Sequence, residues 1–208
     1  MAKPTLYGAD YSVYVRIARM ALEEKGVGYE LVPLDIFAAE GVPAWYLELH
    51  PFGRIPAFEH DGFRLFETGA IARYVDEAFD GPALQPADAR GRARMGQIIG
   101  MLDAYGYRAM VWDVAVERLE KPPPDEDLIA GGLRQAERVL TVLTSLKAKR
   151  PWLLGDQLTL ADLHAAPIIA YFVKVAEGRD LLARFAEMRD WFARMSGRPS
   201  FVRTEKVA

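Results

Sequence analysis

Residues 52–68 read Phe52-Gly53-Arg54-Ile55-Pro56-Ala57-Phe58-Glu59-His60-Asp61-Gly62-Phe63-Arg64-Leu65-Phe66-Glu67-Thr68. Ala57 to Phe66 has the form of a hairpin, because two apolar arms flank Asp61-Gly62, a dipeptide that accepts the positive φ angles of a two-residue turn. Pro56 stands at its mouth. A proline cannot donate to a ladder and is confined to strand starts and edges. Pro56 therefore either opens an edge strand or marks a place where the backbone serves something other than the sheet.

Working outward, Thr5 to Gly8 forms a short strand, Val13, Ile17, Met20 and Ala21 trace one face of a helix that Gly26 ends, and Tyr29 to Pro33 forms a second strand. This is a βαβ unit, whose strands run parallel with a right-handed crossover. After the hairpin a helix runs from about Thr68 to Phe79, with Ile71, Tyr74, Val75 and Phe79 inward. Asp80-Gly81-Pro82 and Gln85-Pro86 break the pattern, and no convincing strand follows. Helical stretches run instead from about Asp88 to Leu119, Asp125 to Lys149, Leu160 to Val175 and Leu181 to Met195. The expected fold class is α/β plus all-α: a βαβ-ββα domain over residues 1–80, a linker over 81–87, and an all-helical domain over 88–208.

The composition is ordinary for a globular chain, with 51% hydrophobic and 26% charged residues among 208. A net charge of -3 gives no electrostatic reason to approach nucleic acid or an anionic membrane. Arg90, Arg92 and Arg94 read as a solvated helix face. No apolar run is long enough to span a bilayer, the N-terminus carries no leader-like pattern, and the expected location is cytoplasmic. The chain has no cysteine and three histidines, His50, His60 and His164. That excludes disulfides, a protein thiol nucleophile and cysteine-ligated metal, and no metal site is expected. Any sulfur chemistry arrives on a ligand.

The first turn, Gly8-Ala9-Asp10-Tyr11-Ser12-Val13-Tyr14, lies where open α/β sheets present ligand-binding groups beyond a strand's carboxyl end. Ser12, at the start of the helix, can cap its free amides or donate a hydrogen bond to an anion that the helix dipole already favours. Arg16, one turn on, can reinforce that field. Such surroundings lower a thiol's pKa from about 8.5 toward neutrality. Tyr14 and Tyr11 carry rival hydroxyls.

These residues, with His50-Pro51-Phe52-Gly53-Arg54-Ile55-Pro56-Ala57, Glu67-Thr68 and Gly155-Asp156-Gln157-Leu158-Thr159-Leu160-Ala161-Asp162, resemble the cytosolic glutathione S-transferases over nearly the whole chain. The pattern is theta- or phi-like and serine-type, of the bacterial kind, although the tyrosines beside Ser12 leave the tyrosine-type classes open. The resemblance implies a thioredoxin-like N-terminal domain, a cis bond at Ile55-Pro56, and glutathione held by the Ile55 main chain, Arg54, Glu67, Thr68 and His50. It implies that Ser12 stabilises the thiolate of glutathione, a cosubstrate, for attack on a small apolar electrophile. Met101, Tyr105, Tyr107 and Trp112 are the expected electrophile pocket, Asp103 and Phe52 candidate contacts with a partner subunit, and a homodimer the expected assembly. Isomerase, dehalogenase or peroxidase chemistry on the same thiolate, and a non-catalytic scaffold, are alternatives the residues do not separate. Thr159 to Asp162 is a capping-box pattern, a folding element; the resemblance implies that it lies in the core of the helical domain, with Asp162 outside the active site.

Overall fold

In the computed structural model, which describes residues 3–147 and 149–205, strand and helix alternation builds a four-stranded sheet. β1 (Thr5–Tyr7) pairs in parallel with β2 (Glu30–Val32) and antiparallel with β3 (Ala57–His60), which pairs antiparallel with β4 (Phe63–Phe66), in the order β2-β1-β3-β4. This is the expected βαβ-ββα arrangement. Asp61 and Gly62 have φ of 49° and 78°, so the hairpin closes through the two-residue turn that the Asp-Gly pair favours. Leu6 and Phe58 are paired across the sheet and fully buried beneath it.

Helix α1 (Val13–Glu24) buries Val13, Val15, Ile17, Ala18, Met20, Ala21 and Leu22, the face its spacing predicts, and α3 (Thr68–Ala78) packs on it with Ile71, Ala72 and Val75. Between them, α2 (Ala44–Leu47) is a single turn that the sequence periodicity does not register. The end of α1 is fixed by a buried cation. Lys25 Nζ lies 3.1 Å from the Asp76 carboxylate and donates to the Asp76 and Pro82 carbonyls at 3.0 and 3.1 Å. All three ammonium protons therefore have acceptors, which a buried lysine requires.

Two compact units emerge, parting at Ala83 and Leu84; the first takes the chain up to Ala83 and again from Pro199, the second Leu84–Arg198. The linker was expected at 81–87 and the helical part through 208. The difference at the C-terminal end comes from α10 (Pro199–Arg203), a short helix that the periodicity did not register, which packs on α1. Arg16 places its guanidinium 4.1 Å over the Phe201 ring and donates to the Phe201 carbonyl at 3.0 Å, while Arg19 donates to the Thr204 carbonyl at 3.3 Å. Two cations thus meet carbonyls at the C-terminal end of α10, where the helix dipole is negative.

The second unit is helical. α4 (Ala89–Met101) continues into π-helical stretches Leu102–Gly106 and Arg108–Val116, then α5 (Glu117–Glu120), α6 (Glu126–Lys147), α7 (Leu160–Phe172), α8 (Ala176–Ala183) and α9 (Ala186–Ser196). The sequence led us to expect one uniform helix from Asp88 to Leu119. Instead the Tyr107 N–H donates to Leu102, five residues back, and Arg108 pairs with Asp113, five residues on, at 2.6 Å. The stretch expected at Leu181 to Met195 is likewise two helices, broken at Arg184 and Phe185. Asp162, wholly buried, accepts from the Leu153 N–H, the Thr159 N–H and hydroxyl, and the Trp191 indole at 2.8 to 2.9 Å, so the expected capping box extends into the core. Burial raises its pKa and these four donors oppose the rise.

Candidate functional site

The register assembles one edge of the sheet. Tyr7 faces Ala57, and Ala57 faces Phe66. The segments leaving that row are therefore neighbours: the Gly8 to Ser12 turn after β1, Arg54-Ile55-Pro56 before β3, and Glu67-Thr68 after β4. Their proximity has two further marks. A Cβ on Gly8 would lie 3.4 Å from the Ile55 Cβ, and the Thr68 hydroxyl is 3.4 Å from the Tyr14 carbonyl.

Ser12 is the N-cap of α1, with its Oγ accepting from the Val15 N–H at 3.3 Å. The two uses considered for this hydroxyl are compatible. Capping occupies a lone pair and leaves the hydroxyl proton to donate. Tyr11 is differently placed, since its hydroxyl donates to the Asp35 carboxylate at 2.7 Å, and burial together with that hydrogen bond raises its pKa. Tyr14 is half-buried and gives its carbonyl to Thr68. The Arg16 guanidinium, one turn on from Ser12, donates to the Phe201 carbonyl and lies over the Phe201 ring.

The Ile55–Pro56 peptide is cis. No hydrogen-bond partner of the Ile55 main chain is found among the described residues, while the carbonyl of Arg54 accepts from the buried Tyr46 hydroxyl at 2.7 Å. Arg54 is exposed and its guanidinium has no partner among the described residues. Glu67 is also exposed and unpaired among them, and it holds a φ of 71° as the N-cap of α3 without a side-chain capping bond. A non-glycine residue at positive φ is strained and concentrates at functional sites. Because Glu67 does not cap, the first amides of α3 are left for an anion. Thr68 is the first residue of α3.

His50 is placed in packing. Only 3% exposed, its ring lies 4.9 Å from that of Phe66, with Tyr46 and Phe52 also against it, and its Nδ1 has no hydrogen-bond partner among the described residues. Burial lowers its pKa. Phe52 is 72% exposed. Sequence reasoning missed Tyr46 and Asp35, which hold Arg54 and Tyr11; the only signal for Tyr46 was Pro43 ahead of two aromatics, too short for a helical period, and Asp35 carried none.

In the helical unit, Met101, Tyr107 and Trp112 are half-buried and Tyr105 is exposed, whereas Met110 and Val111 of the same cluster are core. The Asp103 carboxylate lies 2.7 Å from Nε2 of buried His164. No group of His, Asp and Glu that could hold a metal occurs among the described residues, nor any helix long and apolar enough to cross a membrane.

Comparison with known proteins follows the same division. Residues 2–77 match the family model described as glutathione S-transferase, N-terminal domain, and 126–194 the one described as glutathione S-transferase, C-terminal domain. Glutathione S-transferase F13 of Arabidopsis thaliana is 28% identical over 95% of this chain and 93% of its own. The structure of poplar glutathione transferase F1 superposes with a TM-score of 0.87 at 26% identity, covering 98% and 97% of the two chains. That of glutathione S-transferase III in apo form gives 0.85 at 31%, over 98% and 95%. The theta class enzyme of Xanthomonas axonopodis pv. citri, solved with glutathione bound, gives 0.85 at 26%, over 100% and 99%.

Proposed function

This chain belongs to the glutathione S-transferase family, and we propose that it is a transferase joining the thiolate of glutathione to small apolar electrophiles. One observation carries the reading: a helix-capping hydroxyl, an unpaired acid and an unpaired arginine leave the same sheet edge. Glutathione offers a complement to each. Its ammonium pairs with Glu67, its γ-glutamyl carboxylate takes the first amides of α3 and the Thr68 hydroxyl, which turns to it from the Tyr14 carbonyl 3.4 Å away, and its glycyl carboxylate pairs with Arg54. The cysteinyl part hydrogen-bonds the Ile55 main chain in the manner of an added strand. His50 supports this loop from beneath.

The thiol then lies at the start of α1, where the Ser12 hydroxyl donates to the sulfur and the helix dipole favours the anion. The thiolate forms a carbon–sulfur bond as the electrophile's leaving group departs with the bonding electrons, or adds to an activated double bond that then takes up a proton. Positioning and thiolate stabilisation supply the rate enhancement. Met101, Tyr105, Tyr107 and Trp112 are the apolar groups offered to the electrophile. The reading includes a homodimer, with Phe52 and Asp103 toward the partner, and a cytoplasmic role in detoxification, as the resemblance to the cytosolic branch supports.

The test is an ultraviolet difference spectrum on adding glutathione at neutral pH. Because the chain has no cysteine, a thiolate band belongs to the ligand. A band that Ser12→Ala abolishes while glutathione still binds is expected. Binding without a band contradicts thiol activation, and no binding contradicts the whole reading.

A further inference from the structure

We propose that Tyr11 is a positioning residue: through Asp35 it holds the segment that shapes the glutathione main-chain contact, and it does not activate the thiol. The inference rests on the glutathione reading above and deepens it. Asp35 Oδ1 accepts from the Tyr11 hydroxyl at 2.7 Å and from the Phe37 N–H at 2.9 Å, and the Tyr11 and Phe37 rings lie 6.2 Å apart. One carboxylate oxygen thus ties the turn preceding Ser12 to the segment after β2. That segment has no strand or helix of its own from Pro33 to Pro43; two consecutive turns, closed by Ala38 N–H to Asp35 and Gly41 N–H to Ala38 at 3.5 and 2.9 Å, carry it into α2. α2 supplies Tyr46, whose hydroxyl fixes the Arg54 carbonyl at 2.7 Å, next to Ile55.

The path from Tyr11 to Ile55 therefore runs through named hydrogen bonds and one short stretch of main chain. A charge-assisted bond of this kind is stronger than a neutral one, although solvent exposure of Asp35 moderates it. The phenol proton is engaged by Asp35 and is not offered to a sulfur. Tyr11 is accordingly expected to act on glutathione binding, and Ser12 on the thiol.

The test compares wild type, Tyr11→Phe, Asp35→Ala, the double variant and Asp35→Asn, measuring KM for glutathione, kcat, and the pKa of the bound thiol by ultraviolet titration. Tyr11→Phe and Asp35→Ala should each raise KM about fivefold, the scale of one lost hydrogen bond. The double variant should show the same fivefold rise, because both changes break one link. The thiol pKa should stay at the wild-type value, and Asp35→Asn, which keeps an acceptor oxygen, should recover most of the affinity. A lower kcat with a raised thiol pKa in Tyr11→Phe alone would make Tyr11 the activating group and overturn the inference. Multiplicative KM effects, or none, would also overturn it. Wild type that binds no glutathione brings down the functional reading and this inference with it, whereas active wild type with silent variants brings down the inference alone.

Discussion

At the residue scale, one oxygen atom illustrates why candidate roles and structural roles need not compete. Ser12 uses a lone pair to cap α1 and keeps a proton to donate, so Ser12→Ala removes a cap and, on the proposed reading, the thiolate's partner as well. The cap costs about 1 kcal/mol of stability, whereas turnover should fall at least tenfold; thermal melting and steady-state kinetics separate the two. Glu67 differs, since its side chain does not cap the helix it precedes. Glu67→Ala should weaken glutathione binding about tenfold with kcat less affected, as calorimetry would read. His50 has a pH signature. Burial depresses its folded pKa below the ordinary 6.5, so the unfolded chain binds that proton more readily. Its contribution to stability is therefore fully present above about pH 6.5 and lost as pH falls through the folded pKa. Urea unfolding should show a shallower acid decline in His50→Asn than in wild type.

At the element scale, helix ends and close approaches decide what is held. Lys25 and Asp76 are both nearly inaccessible, and removing one partner leaves a buried charge. Asp76→Ala should cost about 3 kcal/mol in denaturant unfolding, well above the cost of an exposed pair. In the helical unit a Cβ at Gly132 of α6 would lie 2.8 Å from Val114 and 3.0 Å from the Ala109 carbonyl. Both belong to the π-helical stretch. Gly132→Ala should therefore destabilise the unit despite alanine's higher helix propensity, a reversal that circular dichroism melts would register. The π-helical register itself was illegible in the sequence, because a helical period read over Asp88 to Leu119 is too coarse to separate a five-residue hydrogen-bond spacing from a four-residue one. α2 and α10 escaped for a related reason: one turn of helix carries no period.

At the scale of the whole molecule, absence of cysteine makes a sharp expectation. Alkylating reagents that block protein thiols should leave the transferase activity intact once excess reagent is removed, and loss of activity would contradict a ligand-borne nucleophile. The homodimer reading predicts a dimer in sedimentation velocity, shifted toward monomer by Phe52→Arg, since an exposed aromatic of this kind anchors interfaces. The order βαβ-ββα followed by helices was legible from alternation, an Asp-Gly turn and helix-breaking prolines, because such patterns are local and each reports its own period. The family was legible too, from Ser12, Ile55-Pro56, Glu67-Thr68 and the Thr159 to Asp162 box in their order. What the tertiary structure alone decided is how those groups are used. Register across β1, β3 and β4 brings the three segments to one edge; packing buries His50 among aromatics and commits Arg16 to Phe201. Residues 24 positions apart, Tyr11 and Asp35, meet through a hydrogen bond that no local period encodes. A sequence specifies which groups are present and what local conformations they favour, but the partner of a long side chain is set by whichever acceptor the fold carries to its end.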